Sequence, residues 1–156
     1  MQKRLVRAPG QHGAPAVSWL AVETLAQVEL TSEDPAHPIE AAFSPGSRAG
    51  WRASEPGTQS IRLLFHQPQP LTRIRLHFVE PTAERTQEFS LRWSPDGGRS
   101  FRELVRQQYT FSPGGATSEL EELEVDLAAV TALELTIIPD QGRSQALASL
   151  AEWRLA

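Results

Sequence analysis

The chain has 156 residues, 40% of them apolar and 22% charged, with a net charge of −4. That length suits one compact domain able to bury roughly 70% of its unfolded surface without metal or disulfide staples. There is no cysteine and Lys3 is the only lysine, which excludes disulfides and Cys-ligated zinc and leaves no clustered cationic face for nucleic-acid backbone.

Residues 1–16 are polar and broken by Pro9, Gly10 and Pro15. They form no apolar leader core and predict a loose N-terminal arm, so the chain reads as cytoplasmic. No apolar run approaches the length of a membrane helix, and membrane insertion is not expected. Ser18 to Leu25 suits one or two helical turns. From Ala26 the text Ala-Gln-Val-Glu-Leu-Thr-Ser alternates apolar and polar, as a half-buried strand does. Residues 32–57 then hold four prolines and three glycines. A loop of that length in a compact domain is usually functional or ordered by its own side chains.

The clearest strands follow. Ser60 to Phe65 places Ile61, Leu63 and Phe65 on one face. After a turn predicted at Gln67-Pro-Gln-Pro70, Thr72 to Val79 puts Ile74, Leu76 and Phe78 inward and Arg73, Arg75 and His77 outward. Glu88 to Ser94 offers Phe89, Leu91 and Trp93 to the core, Pro95-Asp-Gly-Gly98 makes a tight turn, and Phe101 to Val105 returns as a hairpin partner. A second loop is predicted over 107–117. Leu123 to Leu127 and Leu133 to Ile137 are two more alternating strands, and Leu150 to Leu155 closes the chain. About eight short strands with turns between them predict an all-β sandwich or barrel.

The order of these pieces resembles the discoidin-like family, the galactose-binding-like β-sandwich of coagulation-factor C-type domains and many bacterial carbohydrate-binding modules. The resemblance rests on Gly50-Trp51 with the strand Gln59 to Phe65, on Leu71 to Phe78, and on Phe89-Ser-Leu-Arg-Trp-Ser-Pro-Asp-Gly97 with Phe101. It extends to Leu133 to Ile137 and the final Leu150 to Leu155. It implies one jelly-roll domain over 1–156, a binding module and not an enzyme, whose loops at one end hold ligand. A sugar or polyol is the leading expectation. A protein partner docking on the same fold is the alternative, with Arg73, Arg75 and the acidic residues 119–126 as a complementary surface.

Five residues are the candidate ligand contacts. Gln107, Gln108 and Tyr109 combine amides and an aromatic ring in the predicted second loop, as recognition of hydroxyls and a sugar-ring face requires. Arg85 offers a planar fork of donors and is expected to converge with Gln107 at one end. His37 sits between Pro35 and Pro38 in the first loop, which contributes polar contacts in the resembling modules. Trp51, Trp93 and Trp153 read as core residues, while Trp19 is open between core and surface.

No cofactor is expected. His12, His66 and His77 lack metal spacing. Many resembling domains hold calcium beside the first loop. Here Phe43-Ser-Pro-Gly46 stands where an Asp-Gly belongs, and Glu40 and Glu152 alone make a thin oxygen cage. Glu119, Glu121, Glu122 and Glu124 read as a solvated acidic stretch.

Overall fold

A computed structural model describes residues 18–44, 50–142 and 144–156. The N-terminal arm expected at 1–16 therefore lies outside the described residues. The strands are β1 (Ala26–Leu30), β2 (Trp51–Pro56), β3 (Gln59–Val79), β4 (Arg85–Ser94), β5 (Arg102–Phe111), β6 (Ser118–Ile138), β7 (Leu147–Leu150) and β8 (Glu152–Leu155). Two single helical turns, α1 (Val22–Leu25) and α2 (Glu40–Phe43), complete the described elements.

All strand pairs are antiparallel. One layer runs β1-β3-β6-β4-β5 and uses the halves of β3 and β6 paired from Gln59↔Ile137 to Leu64↔Ala132. The other halves pair from Arg73↔Glu124 to Val79↔Ser118, with β8 on the far side of β3. β2 and β7 form a separate two-stranded ribbon. The two layers face each other: the Phe78 and Phe89 rings lie 4.9 Å apart although β3 and β4 share no ladder. This is the expected all-β sandwich of eight strands.

The expected turn at Gln67–Pro70 is not a turn. β3 continues through it, and the ladder with β6 breaks register between Leu64 and Arg73. Pro68 and Pro70 cannot donate to a ladder, yet their fixed φ is compatible with extended chain. Strand continues while pairing fails, and β3 passes from one layer to the other. β6 likewise joins two strands that alternation alone had separated.

Period-two alternation puts Ile61, Leu63, Ile74, Leu76, Phe78, Phe89, Leu91, Leu133 and Leu135 in the core, each at most 1% exposed. Burial of one such side chain stabilises by roughly 1.5–3 kcal/mol. Trp51 and Trp153 are core as expected, and Phe43 of α2 packs on Trp153 at 6.1 Å. Trp93 departs from expectation: it is half-buried, with the Arg102 guanidinium over its ring at 5.5 Å. Trp19, half-buried, sits between Arg75 and Arg154, with the cations 5.0 and 5.5 Å from its ring centre. Glu119 is not solvated as expected but 4% exposed.

Candidate functional site

Because β3, β4 and β6 begin, and β5 ends, at one end of the sandwich, the described residues of the connections after β1, β2, β3, β5 and β6 gather there (31–44, 57–58, 80–84, 112–117 and 139–142 with 144–146). The first is ordered by its own polar groups. Asp34 Oδ1 accepts the Ala36 N–H at 2.9 Å, and the Asp34 carbonyl accepts the His37 N–H at 2.8 Å. Backbone bonds from Asp34 N–H to Arg52 O (2.9 Å) and from Arg52 N–H to His37 O (3.2 Å) clip this turn onto β2. Gly50, with φ +60°, completes the closure. A Cβ there would meet Leu150 O at 2.5 Å, so only glycine lets the loop return this close to β7.

The clip aims His37. Its Nδ1 lies 3.3 Å from Asp34 Oδ2. A carboxylate only accepts, so the proton sits on Nδ1 and Nε2 is left for a ligand. The Ala36 amide, followed by His37 and Arg52, holds the Asp34 carboxyl below its usual range. His37 and Arg52 line a cleft of about 270 Å³ with Trp51, Val79, Pro81 and Ser149. Arg52 also lines an adjoining depression of about 160 Å³ with Glu80, Thr82 and Ala83. The arrangement combines a ring-nitrogen acceptor, a fork of guanidinium donors and the apolar surface of Val79 and Pro81.

Arg85 stands behind these loops instead of in the cleft. It is 2% exposed. Its Nε donates to Glu80 Oε1 at 2.8 Å, and its Nη1 donates to Gln87 Oε1 at 3.0 Å and to Pro139 O at 2.9 Å. The Phe111 ring covers its face at 4.8 Å. Burial pushes the Glu80 carboxyl up, but Arg85 and the Thr82 and Ala83 amides outweigh it and leave it lowered. Arg85 thus ties the 80–84 connection to the 139–146 connection and acts through them, as a positioning residue.

Gln107, Gln108 and Tyr109 are on strand β5, not on a loop. They pair with Phe89, Glu88 and Gln87. Gln107 and Gln108 are exposed and point to opposite faces of the sheet, while Tyr109 is half-buried edge-on to Phe111 at 5.1 Å. Arg85 and Gln107 do not converge, because Arg85 pairs with Phe111 at the far end of that ladder. Of the five candidates, only His37 lines the end cleft. Arg52, its partner there, went unselected. The local signal was the short alternation Trp51-Arg-Ala-Ser, with Trp51 and Ala53 buried and Arg52 and Ser54 exposed.

A groove of about 430 Å³ opens on the other flank of 139–146, lined by Pro56, Gly57, Thr58, Pro139, Gln141 and Gln145 among others. Of the residues weighed for calcium, Ser44 donates to Glu40 O at 3.0 Å, and Glu152 Oε1 lies 3.4 Å from Arg75 Nη1. Gly46, Arg48 and Ala49 lie outside the described residues. Among the described residues no three metal-ligating side chains converge.

The fold can now be compared with known proteins. The chain matches no family model and no curated protein sequence. Among solved structures it is similar to CpGH89CBM32-5 from Clostridium perfringens, in complex with GalNAc-β-1,3-galactose. The TM-score is 0.62 at 19% identity, over 88% of this chain and 99% of that one. It is similar to the family 32 carbohydrate-binding module of C. perfringens NanJ, in complex with galactose, at TM-score 0.64 and 13% identity, over 88% and 96% of the two chains. It is also similar to reduced XRCC1 bound to the DNA polymerase β catalytic domain, at TM-score 0.61 and 14% identity, over 85% and 95%. The fold is therefore the discoidin-like, galactose-binding-like β-sandwich that the sequence resembled.

Proposed function

We propose that this domain is a non-catalytic carbohydrate-binding module that holds a neutral sugar or polyol in the His37–Arg52 cleft. The observation that carries the reading is the Asp34–His37 clip. It fixes an imidazole acceptor beside the Arg52 donors at the loop-bearing end of the sandwich. Hydroxyls both donate and accept, so a vicinal diol satisfies both partners at once. The sugars in the CpGH89CBM32-5 and NanJ complexes support the same class. The apolar wall is Val79 and Pro81, and the Trp51 ring that also borders the cleft is buried. Affinity for a single sugar is then on the order of millimolar, because few atoms are buried and hydroxyl desolvation offsets much of the gain.

The experiment is a 15N-HSQC titration with simple sugars. Shifts clustered on His37, Arg52 and Thr82, lost in His37→Ala and Arg52→Ala, support the site. A response that survives both substitutions sinks it. XRCC1, seen bound to a polymerase, supports a second reading, in which the fold docks a protein. A stoichiometric protein partner with no glycan response would favour that alternative.

A further inference from the structure

The 430 Å³ groove on the far flank of 139–146 is larger than the cleft that holds His37. Its volume falls within the range of small-molecule sites, roughly 300–1,000 Å³. Its wall is built, not incidental. Arg85, buried, holds Pro139 O at 2.9 Å, and the Gln141 N–H donates to Thr86 O at 2.7 Å. Asp140 Oδ1 accepts the Gly142 N–H at 3.0 Å and the Thr86 N–H at 3.3 Å. The opposite rim is the Gly57-Thr58 turn, where Gly57 takes φ +91° and no atom lies within 4 Å of a Cβ placed on it.

The chemistry of the lining is specific. Pro56 and Pro139 present apolar rings, while Gln141, Gln145 and Thr58 present both donors and acceptors. Ser144, the Gly142 amide and Thr86 keep the Asp140 carboxyl low, so it is an anion at neutral pH. No arginine, lysine or histidine lines the groove among the described residues. Such a lining offers donors and acceptors to hydroxyl-rich groups. β2 spans the two depressions, with Arg52 in one and Pro56 in the other. Four residues of strand separate them by roughly 13 Å. One sugar ring fills one depression only, whereas a chain reaches both.

Building on the carbohydrate reading above, we propose that the natural ligand is an oligosaccharide whose further units lie in the Pro56–Gln145 groove. The test is a titration series with galactose, glucose and mannose and their β-1,4-linked di-, tri- and tetrasaccharides. Affinity should rise about tenfold from mono- to trisaccharide, or about 1.4 kcal/mol, in at least one series. Shifts should spread from His37 and Arg52 to Thr58, Gln141 and Gln145. The Q141A/Q145A variant, or Thr58→Trp as a steric plug, should abolish that gain and leave monosaccharide binding unchanged. Length-independent binding with shifts confined to His37 and Arg52 would overturn the groove and leave the cleft standing. No response to any of the three series would overturn both.

Discussion

Strand β6 buries a carboxylate near each end, and the two sit in opposite electrostatic settings. Glu134 lies on the outer face of the five-stranded layer, in register with Arg62 on β3 and Arg92 on β4. Arg62 donates to Oε2 through Nε (3.1 Å) and Nη2 (2.5 Å), and Arg92 donates to Oε1. The Phe101 ring underlies both guanidinium groups, at 5.1 and 4.6 Å. Burial pushes the Glu134 carboxyl up, but the two arginines outweigh it and leave it lowered. Glu119 faces inward opposite Phe78, and neither of its oxygens has a partner among the described residues. Burial, with Glu121 adding to it, pushes that carboxyl up to about 7. Depth does not distinguish these acids, since they are 8% and 4% exposed. Cross-strand neighbours do: a carboxylate between two arginines keeps its charge, and one beside a phenylalanine takes up a proton already near neutral pH.

Substitutions at four residues test the contrast. Removing a fully buried cation has the largest effect. Arg85→Ala strands Glu80 and frees two connections, and should cost about 3–4 kcal/mol in urea unfolding. Arg85→Lys should not restore it, because an ammonium cannot reproduce the fork to Glu80, Gln87 and Pro139.

Next comes Glu119. Its folded pKa lies above the unfolded one, so the stability it contributes is full below pH 4.5 and is lost as pH rises towards 7. E119Q carries no such loss. Between about pH 4 and pH 8 the stability difference should move in the variant's favour by on the order of 2–3 kcal/mol. A flat difference would mean that Glu119 is solvated after all.

Glu134→Gln should show the opposite trend at smaller size. The contribution of Glu134 is present above pH 4.5 and lost as pH falls through its lowered folded value. Arg62 and Arg92 are 36% and 40% exposed, and solvent screens them. The cost at neutral pH should be about 1–2 kcal/mol, shrinking in acid. Gln107→Ala, on the exposed edge of β5, should change stability by less than about 0.5 kcal/mol. A larger loss would place Gln107 in a contact that the β5 edge does not show.

Much of the fold was legible in the residues because alternation reports which face is apolar. Ile61, Leu63, Ile74, Leu76, Phe78, Phe89 and Leu91 all lie where the period-two pattern put them. Boundaries were harder. Prolines at 68 and 70 read as a turn, because sequence shows the missing donors but not whether the chain bends. Gln107 to Phe111 read as loop for the same reason. Their polar side chains are permitted on an edge strand, and edge position is a property of the sheet. β2 was hidden inside a turn-rich stretch because its pairing with β7 joins residues far apart in sequence.

For the site, His37 between two prolines was visible as a rigid polar point. That Asp34 would aim it and Arg52 would face it depended on β2 returning beside the first loop. Arg85 was visible as a singular cation, yet its burial was not, since a strand N-terminus looks the same whether or not loops fold over it. The sequence by itself determined the all-β class, the identity of the core faces and the absence of thiol chemistry, all properties of composition and local period. Only the tertiary structure decided which acids keep their charge, which arginine supports the loops and which faces the loop-end cleft. Those depend on what a neighbouring strand brings within a few ångströms.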